Sequence, residues 1–163
     1  MASTRTPARR SATALDAVDR RILDELQADG RLSMNELAAR TSISRATAYQ
    51  RVERLRAEGV ITRFTAVVDH ARAGLALAAL ILVNVEQHSW REARAKLRQL
   101  PGLHHLALTT GGFDFALLVR VPDVETLRDV VLDGLQGMPE VRSTQTVFVL
   151  DEDDGQRPKN AGT

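Results

Sequence analysis

Seven side chains between positions 44 and 54 have the chemistry to meet a nucleic acid: Ser44, Arg45, Thr47, Tyr49, Gln50, Arg51 and Arg54. Gln can read adenine, Arg can grip guanine or hold a phosphate, and Thr can meet the backbone or a thymine methyl. Such residues act together only if a scaffold turns them to one side. Residues 44–61 read as that scaffold. Ser44 is a good N-cap, because its hydroxyl can accept an orphan amide of the first turn. Gly59 is a good residue just past the C-terminus, because it can turn left-handed without strain. Between them Ala48, Val52 and Leu55 make one narrow apolar stripe. The opposite face carries Ala46, Thr47, Gln50, Glu53 and Arg54, flanked by Tyr49 and Arg51. A thin seam under a face of Thr, Gln and Arg suits a helix lying in a DNA major groove. Plain solvated helices carry charged faces too, so the surrounding elements have to decide.

A second group sits at 109–114 and 143–146. Gly111 and Gly112 can bring backbone amides close to a ligand, and Asp114 can hold an ammonium by a charge-assisted bond. Thr110 and Thr144, with Thr109, Ser143 and Thr146, offer hydroxyls. Together these anchors suit a zwitterion such as a free amino acid, with Leu108 and Phe113 offering apolar surface for its side chain. The plain alternative is a hairpin turn with a capping Asp. Catalytic and metal chemistry find no such grouping. His104 and His105 are adjacent and so point to opposite faces of a strand. His70 and His88 fall in expected loops, and no Ser-His-Asp set, Walker loop or zinc spacing is visible. The chain has no Cys, which excludes a disulfide framework, thiolate metal sites and a Cys nucleophile. No cofactor is expected.

The elements before residue 44 turn the lone helix into a pattern. A first helix is expected from about residue 16 to 28, with Leu15, Val18, Ile22, Leu23 and Leu26 as its stripe and Gly30 as its stop. Ser33 and Glu36 form a capping box for a short second helix, whose Leu37 and Ala38 face Leu32 and Ile43. Residues 41–43 make the turn into the third helix. Three helices with a tight turn before the third make a helix-turn-helix. Charge agrees. Residues 1–63 carry 12 Arg and 8 acids, a balance of +4, whereas residues 64–163 carry 10 Lys or Arg and 13 acids, a balance of −3. A basic half joined to an acidic half suits a DNA-facing module joined to a part with another task.

The second half has its own rhythm. Residues 60–68 are β-branched and roughly alternating, so a strand is expected there, followed by a hinge at 69–74. Further strands are expected at 77–86, 103–110, 113–121 and 142–150. Ser89 is expected to cap a helix from 90 to 100, with Ala93, Leu97 and Leu100 inward. Asp123 is expected to cap one running to about 135, with Val124, Leu127, Val131 and Leu135 on its apolar side. From 77 onward the order is β-α-β-β-α-β, a ferredoxin-like arrangement. Two helices cover one sheet face and leave the other needing a partner. Leu80, Leu82, Val119 and Val147 are taken as that open apolar face, which argues for a dimer.

The fold class is therefore α+β. The expected domains are a flexible basic arm (1–14), a winged-type helix-turn-helix domain (15–63), and a linker strand and hinge (64–76). A ferredoxin-like effector and dimerisation domain (77–150) and a loose acidic and polar tail (151–163) follow. No apolar run reaches the ~20 residues a bilayer span requires, and the start lacks a signal-peptide core. A soluble, cytoplasmic protein with no membrane partner is expected.

Three strings resemble the leucine-responsive and asparagine regulator (Lrp/AsnC) family. Ser44-x-x-Thr47-Ala48-x-x-Arg51-Val52-x-x-Leu55-x-x-x-Gly59-Val60-Ile61 resembles its recognition helix. Leu15-Asp16-x-x-Asp19-x-x-Ile22-Leu23 is similar to the start of its first helix. Thr110-Gly111-Gly112-Phe113-Asp114 is similar to its Gly-x-Tyr-Asp effector turn, with Phe113 in place of the Tyr and Gly112 where a polar residue is frequent. The resemblance implies a transcriptional regulator that binds double-stranded DNA and senses an amino acid or related metabolite. It also implies a homodimer that assembles to a tetramer or octamer. Sirohaem decarboxylases resemble the same two-domain architecture, so an enzyme is the alternative, with only His104 and His105 to serve it. A ligand-independent architectural regulator is the other. The well-furnished helix at 44–54 favours the regulator, which is not an enzyme.

Overall fold

The computed structural model describes residues 14–152. The expected arm and tail fall outside these residues, apart from Ala14 and residues 151–152. The chain divides into two compact units at Val67/Val68.

The first unit is built by its caps. Asp16 accepts the Asp19 amide at 2.8 Å and Asp19 accepts the Asp16 amide at 3.2 Å, a reciprocal box that starts α1 (Ala17–Ala28). Ser33 and Glu36 form the second box and start α2 (Met34–Thr41). Ser42 closes α2 in the left-handed region at φ 57°, which turns the chain sharply into α3 (Arg45–Ala57). Ser44 caps α3 by accepting the Thr47 amide at 3.1 Å. Gly59 ends it at φ +72°, and the Val60 and Ile61 amides donate back to the Leu55 carbonyl. Ile22, Leu26, Leu32, Leu37, Val52 and Leu55 form the shared core. Burying each such side chain contributes ~1.5–3 kcal/mol, so packing rather than propensity holds these short helices.

The second unit is a four-stranded antiparallel sheet in the order β2-β3-β1-β4. Its elements are β1 (Leu77–Val85), α4 (Trp90–Leu97), β2 (Leu103–Leu108), β3 (Phe115–Val121), α5 (Val124–Asp129) and β4 (Val141–Val149). A π-helical turn, Val130–Leu135, extends α5. Strands β1 and β3 bury every second residue: Ala79, Ile81, Val83 and Val85 on one, Phe115, Leu117, Val119 and Val121 on the other. Onto this face pack Ala93, Leu97 and Leu100, and Leu127, Val130 and Leu135.

Several expectations change. Residues 60–68 form no ladder, although their composition favours a strand. A strand exists only where it pairs with another, and here Phe64, Val67 and Val68 stand exposed and unpaired. Helix α4 ends at Leu97, three residues early, and Ser89 makes no side-chain capping bond because its backbone is not extended there. Val124, the first residue of α5, is exposed, and Val130, where the π turn begins, is buried. Val119 is fully buried under the helices, so it does not belong to the open face. The residue that does is Leu118, opposite Leu80 on β1, because the side-chain period of two admits only alternate positions.

Candidate nucleic-acid interface and effector site

Helix α3 meets the rest of its unit through Ala48, Val52 and Leu55, all buried, and that fixes which residues face out. Arg45, Tyr49 and Gln50 are exposed. Ser44 is occupied as a cap, and its hydroxyl also lies 2.8 Å from the Thr47 hydroxyl. Thr47, Gln50, Arg51 and Arg54 line, with Asp16, a hollow of about 370 Å³ on the helix. The hollow thus gathers Thr47, Gln50, Arg51 and Arg54, whereas Arg45 and Tyr49 are exposed on α3 outside its lining.

Their charges are not all free. Arg51 donates through Nη1 to Asp16 at 2.6 Å and to Asp19 at 2.8 Å, and Arg54 donates through Nη2 to Asp19 at 2.6 Å. Asp19 is 1% exposed, whereas Asp16 is 52% exposed. Burial pushes the Asp19 carboxyl upward, but the hydrogen bonds from Arg54 and Arg51 and from the Asp16 amide outweigh it. Its pKa falls below the ordinary 3.8 and the group stays ionised. The bond from Arg51, then the Asp19 amide, lower Asp16 likewise. Both arginines are held above their ordinary range by the same bonds. Sequence reading placed these acids at the start of the first helix and missed their bonds to the arginines. Their signal was a matched spacing: acids at 16 and 19 can face arginines at 51 and 54, both pairs three apart on helical segments.

The residues expected to hold an effector collect at one end of the sheet. The Asp114 amide donates to the Val83 carbonyl at 3.0 Å, and the Val85 amide donates to Asp114 Oδ2 at 2.9 Å. Thr144 pairs with Val83 from the other side. Asp114 and Thr144 thus flank the same residue of β1. One carboxylate oxygen of Asp114 already serves the backbone, which ties the 109–114 turn down and leaves Oδ1 for another partner. The Thr109 hydroxyl donates to the Phe113 carbonyl within that turn. Gly111 sits at φ +111°, a conformation other residues rarely adopt, and the space around Gly111 and Gly112 is open. Thr110 is exposed there. Thr144 also lines a hollow of about 210 Å³ with Gln136, Val141, Arg142 and Ser143. Arg142 and Gln136 were not expected; strand alternation alone could not show that the turn before β4 folds next to them.

The histidines gather differently. His70 and His104 meet edge to face at 4.7 Å between ring centroids. The β2–β3 register shifts between Leu103 and His105, so His104 lies at an irregularity of the ladder. Among the described residues no cluster of three or more His, Cys, Asp or Glu side chains could hold a metal ion.

Comparison with known proteins is consistent along the chain. A winged helix-turn-helix DNA-binding family model matches residues 15–62, and an Lrp/AsnC ligand-binding domain model matches residues 78–157. The leucine-responsive regulatory protein of Salmonella typhimurium is 31% identical over 88% of this chain and 90% of its own length. The chain belongs to the Lrp/AsnC family. The HTH-type transcriptional regulator FL11 of Pyrococcus horikoshii is 33% identical over 83% of this chain and 89% of its own. Among solved structures, a transcriptional regulator from Neisseria meningitidis in complex with L-Met superposes with a TM-score of 0.81. It shares 29% identity, covering 85% of this chain and 92% of that one. E. coli AsnC superposes at 0.79 with 28% identity, over 86% and 95%. The Lrp/AsnC chain described here is accordingly a DNA-binding transcriptional regulator with a small-molecule-binding C-terminal domain.

Proposed function

We propose that residues 15–63 bind DNA through α3 and that residues 77–150 bind a free amino acid and hold two copies of the chain together. The observation that carries the DNA assignment is the hollow that Thr47, Gln50, Arg51 and Arg54 line on α3, with Arg45 and Tyr49 exposed on the same helix. Gln50 and Arg45 are assigned to base edges, and Arg51 and Arg54 to phosphates. The effector assignment rests on opposite anchors at one sheet end. The open backbone of Gly111 and Gly112 and the Thr110 and Thr144 hydroxyls meet a carboxylate, and the remaining oxygen of Asp114 meets an ammonium. The L-Met bound to the Neisseria meningitidis relative supports an amino acid as the class.

The dimer assignment rests on the open sheet face. Leu80 and Val147 are exposed opposite one another across β1 and β4, with Leu82 and Leu118 half-buried beside them. A second copy would remove that apolar patch from water, and dimers could associate further to a tetramer or octamer. A DNA-binding task supports a cytoplasmic location and action without catalysis. Anisotropy titration of labelled DNA from upstream of the protein's own gene tests the reading. Wild type is expected to bind it well above scrambled DNA, and Gln50→Ala to lose the difference. Equal binding of Gln50→Ala and wild type removes the base-reading assignment.

A further inference from the structure

The two acids that hold Arg51 differ in one respect. Asp19 lies inside the unit, bonded to both arginines, and reaches them from the first turn of α1. Asp16 lies at the surface, bonded to Arg51 alone, on the rim of the hollow that Thr47, Gln50 and Arg54 also line. A guanidinium carries five N–H donors in a planar fork. The bonds to the acids use Nη1 of Arg51 and Nη2 of Arg54, so each fork is oriented and retains further donors.

We propose that Asp19 is a positioning residue for DNA recognition, aligning Arg51 and Arg54 as a pair of phosphate-gripping forks, while Asp16 occupies on Arg51 the place a phosphate takes in the complex. This rests on the assignment of α3 to DNA. The same arginine then has two acids with opposite effects on binding. Asp19 raises affinity by removing the rotamer freedom of two long side chains before DNA arrives. Asp16 lowers it, because its bond to Arg51 has to break first. It is the exposed partner, so exchanging it for a phosphate leaves no buried charge behind. Simple charge counting gives the other answer: removing any acid near DNA strengthens binding.

The test is an anisotropy titration on the protein's upstream DNA across salt, for wild type, Asp16→Asn, Asp19→Asn, Asp19→Glu, Arg51→Ala and Asp16→Asn in the Arg51→Ala background. Each variant is melted alongside. Asn caps a helix as well as Asp, so Asp16→Asn keeps α1. Asp16→Asn is expected to bind roughly two- to fivefold tighter, and that gain to vanish when Arg51 is Ala. Asp19→Asn is expected to bind roughly tenfold weaker, with the salt slope reduced by about one to two. Should Asp19→Asn be unfolded at the assay temperature, Asp19→Glu decides. It keeps the charge but moves the anchor by one methylene, and is expected to lose affinity severalfold while folded. Tighter binding by Asp19→Asn, undiminished binding by folded Asp19→Glu, or a gain from Asp16→Asn that survives in Arg51→Ala each overturns the proposal. Loss of upstream-DNA binding in wild type would instead sink the DNA assignment beneath it.

Discussion

Asp19 is the most buried charged side chain among the described residues of the DNA-binding unit, and its neighbours set what substitutions there do. Removing one partner of a buried, hydrogen-bonded ion pair strands the other charge, at a cost of about 3–5 kcal/mol. Here the stranded arginines keep 27% and 33% of their side chains exposed and can hydrate. Asp19→Ala is therefore expected to lower the stability of residues 15–63 by less, about 1–3 kcal/mol, checked by urea unfolding followed on this unit. The pH dependence has a definite sign. The folded pKa of Asp19 is depressed, so its contribution is fully present above the free-carboxyl range near 4 and is lost as pH falls through the folded value. Wild type is expected to lose stability below about pH 4 more steeply than Asp19→Asn, in acid-denaturation curves. Gly112 makes a contrasting case. It lies outside the left-handed region and a Cβ there meets nothing within 4 Å. Gly112→Ala is expected to change stability by less than about 0.5 kcal/mol, so any loss of amino-acid binding in that variant reports the ligand's approach and not the fold. Calorimetric titration with the preferred amino acid reads this directly.

Helix α3 is held by three residues on a narrow seam, so its placement is sensitive to each. Leu55 is fully buried and receives the chain reversal at Val60 and Ile61 on its carbonyl. Leu55→Ala is expected to cost about 2–5 kcal/mol, checked by thermal or urea melts. At this scale the sequence was most legible where local chemistry is self-contained. The Ser33–Glu36 box, the Ser44 cap and the Gly59 stop each need only neighbours in the chain, and each stands as read. It was least legible where a partner decides. Residues 60–68 have strand composition but pair with no strand among the described residues. Val119 was assigned to the wrong face because the start of β3, not its composition, sets the phase. Asp16 and Asp19 were read as the start of a helix, while their second role, gripping Arg51 and Arg54, depends on tertiary contacts thirty-two to thirty-five positions away. The effector turn falls between these cases. Its glycines and Asp114 were singled out as candidates, but the bond from the Val85 amide to Asp114 was not read.

At the scale of the whole molecule, the family gives a DNA-binding transcriptional regulator with a ligand-binding domain, and the proposed recognition surface and sheet-end anchors would make its DNA affinity answer to a small molecule. A ligand changes that affinity only by its differential binding to two states of the protein, and the coupling works equally in both directions. A dimer through the open sheet face is expected in sedimentation at micromolar concentration, with Leu80→Glu shifting it to monomer. The most direct measurement is operator affinity with and without each proteinogenic amino acid, by anisotropy at fixed salt. The expected result is specific binding that at least one amino acid shifts by roughly 5–150-fold, with Asp114→Ala abolishing the shift but not the binding. Specific DNA binding that no amino acid alters, or a shift that Asp114→Ala leaves intact, would contradict it.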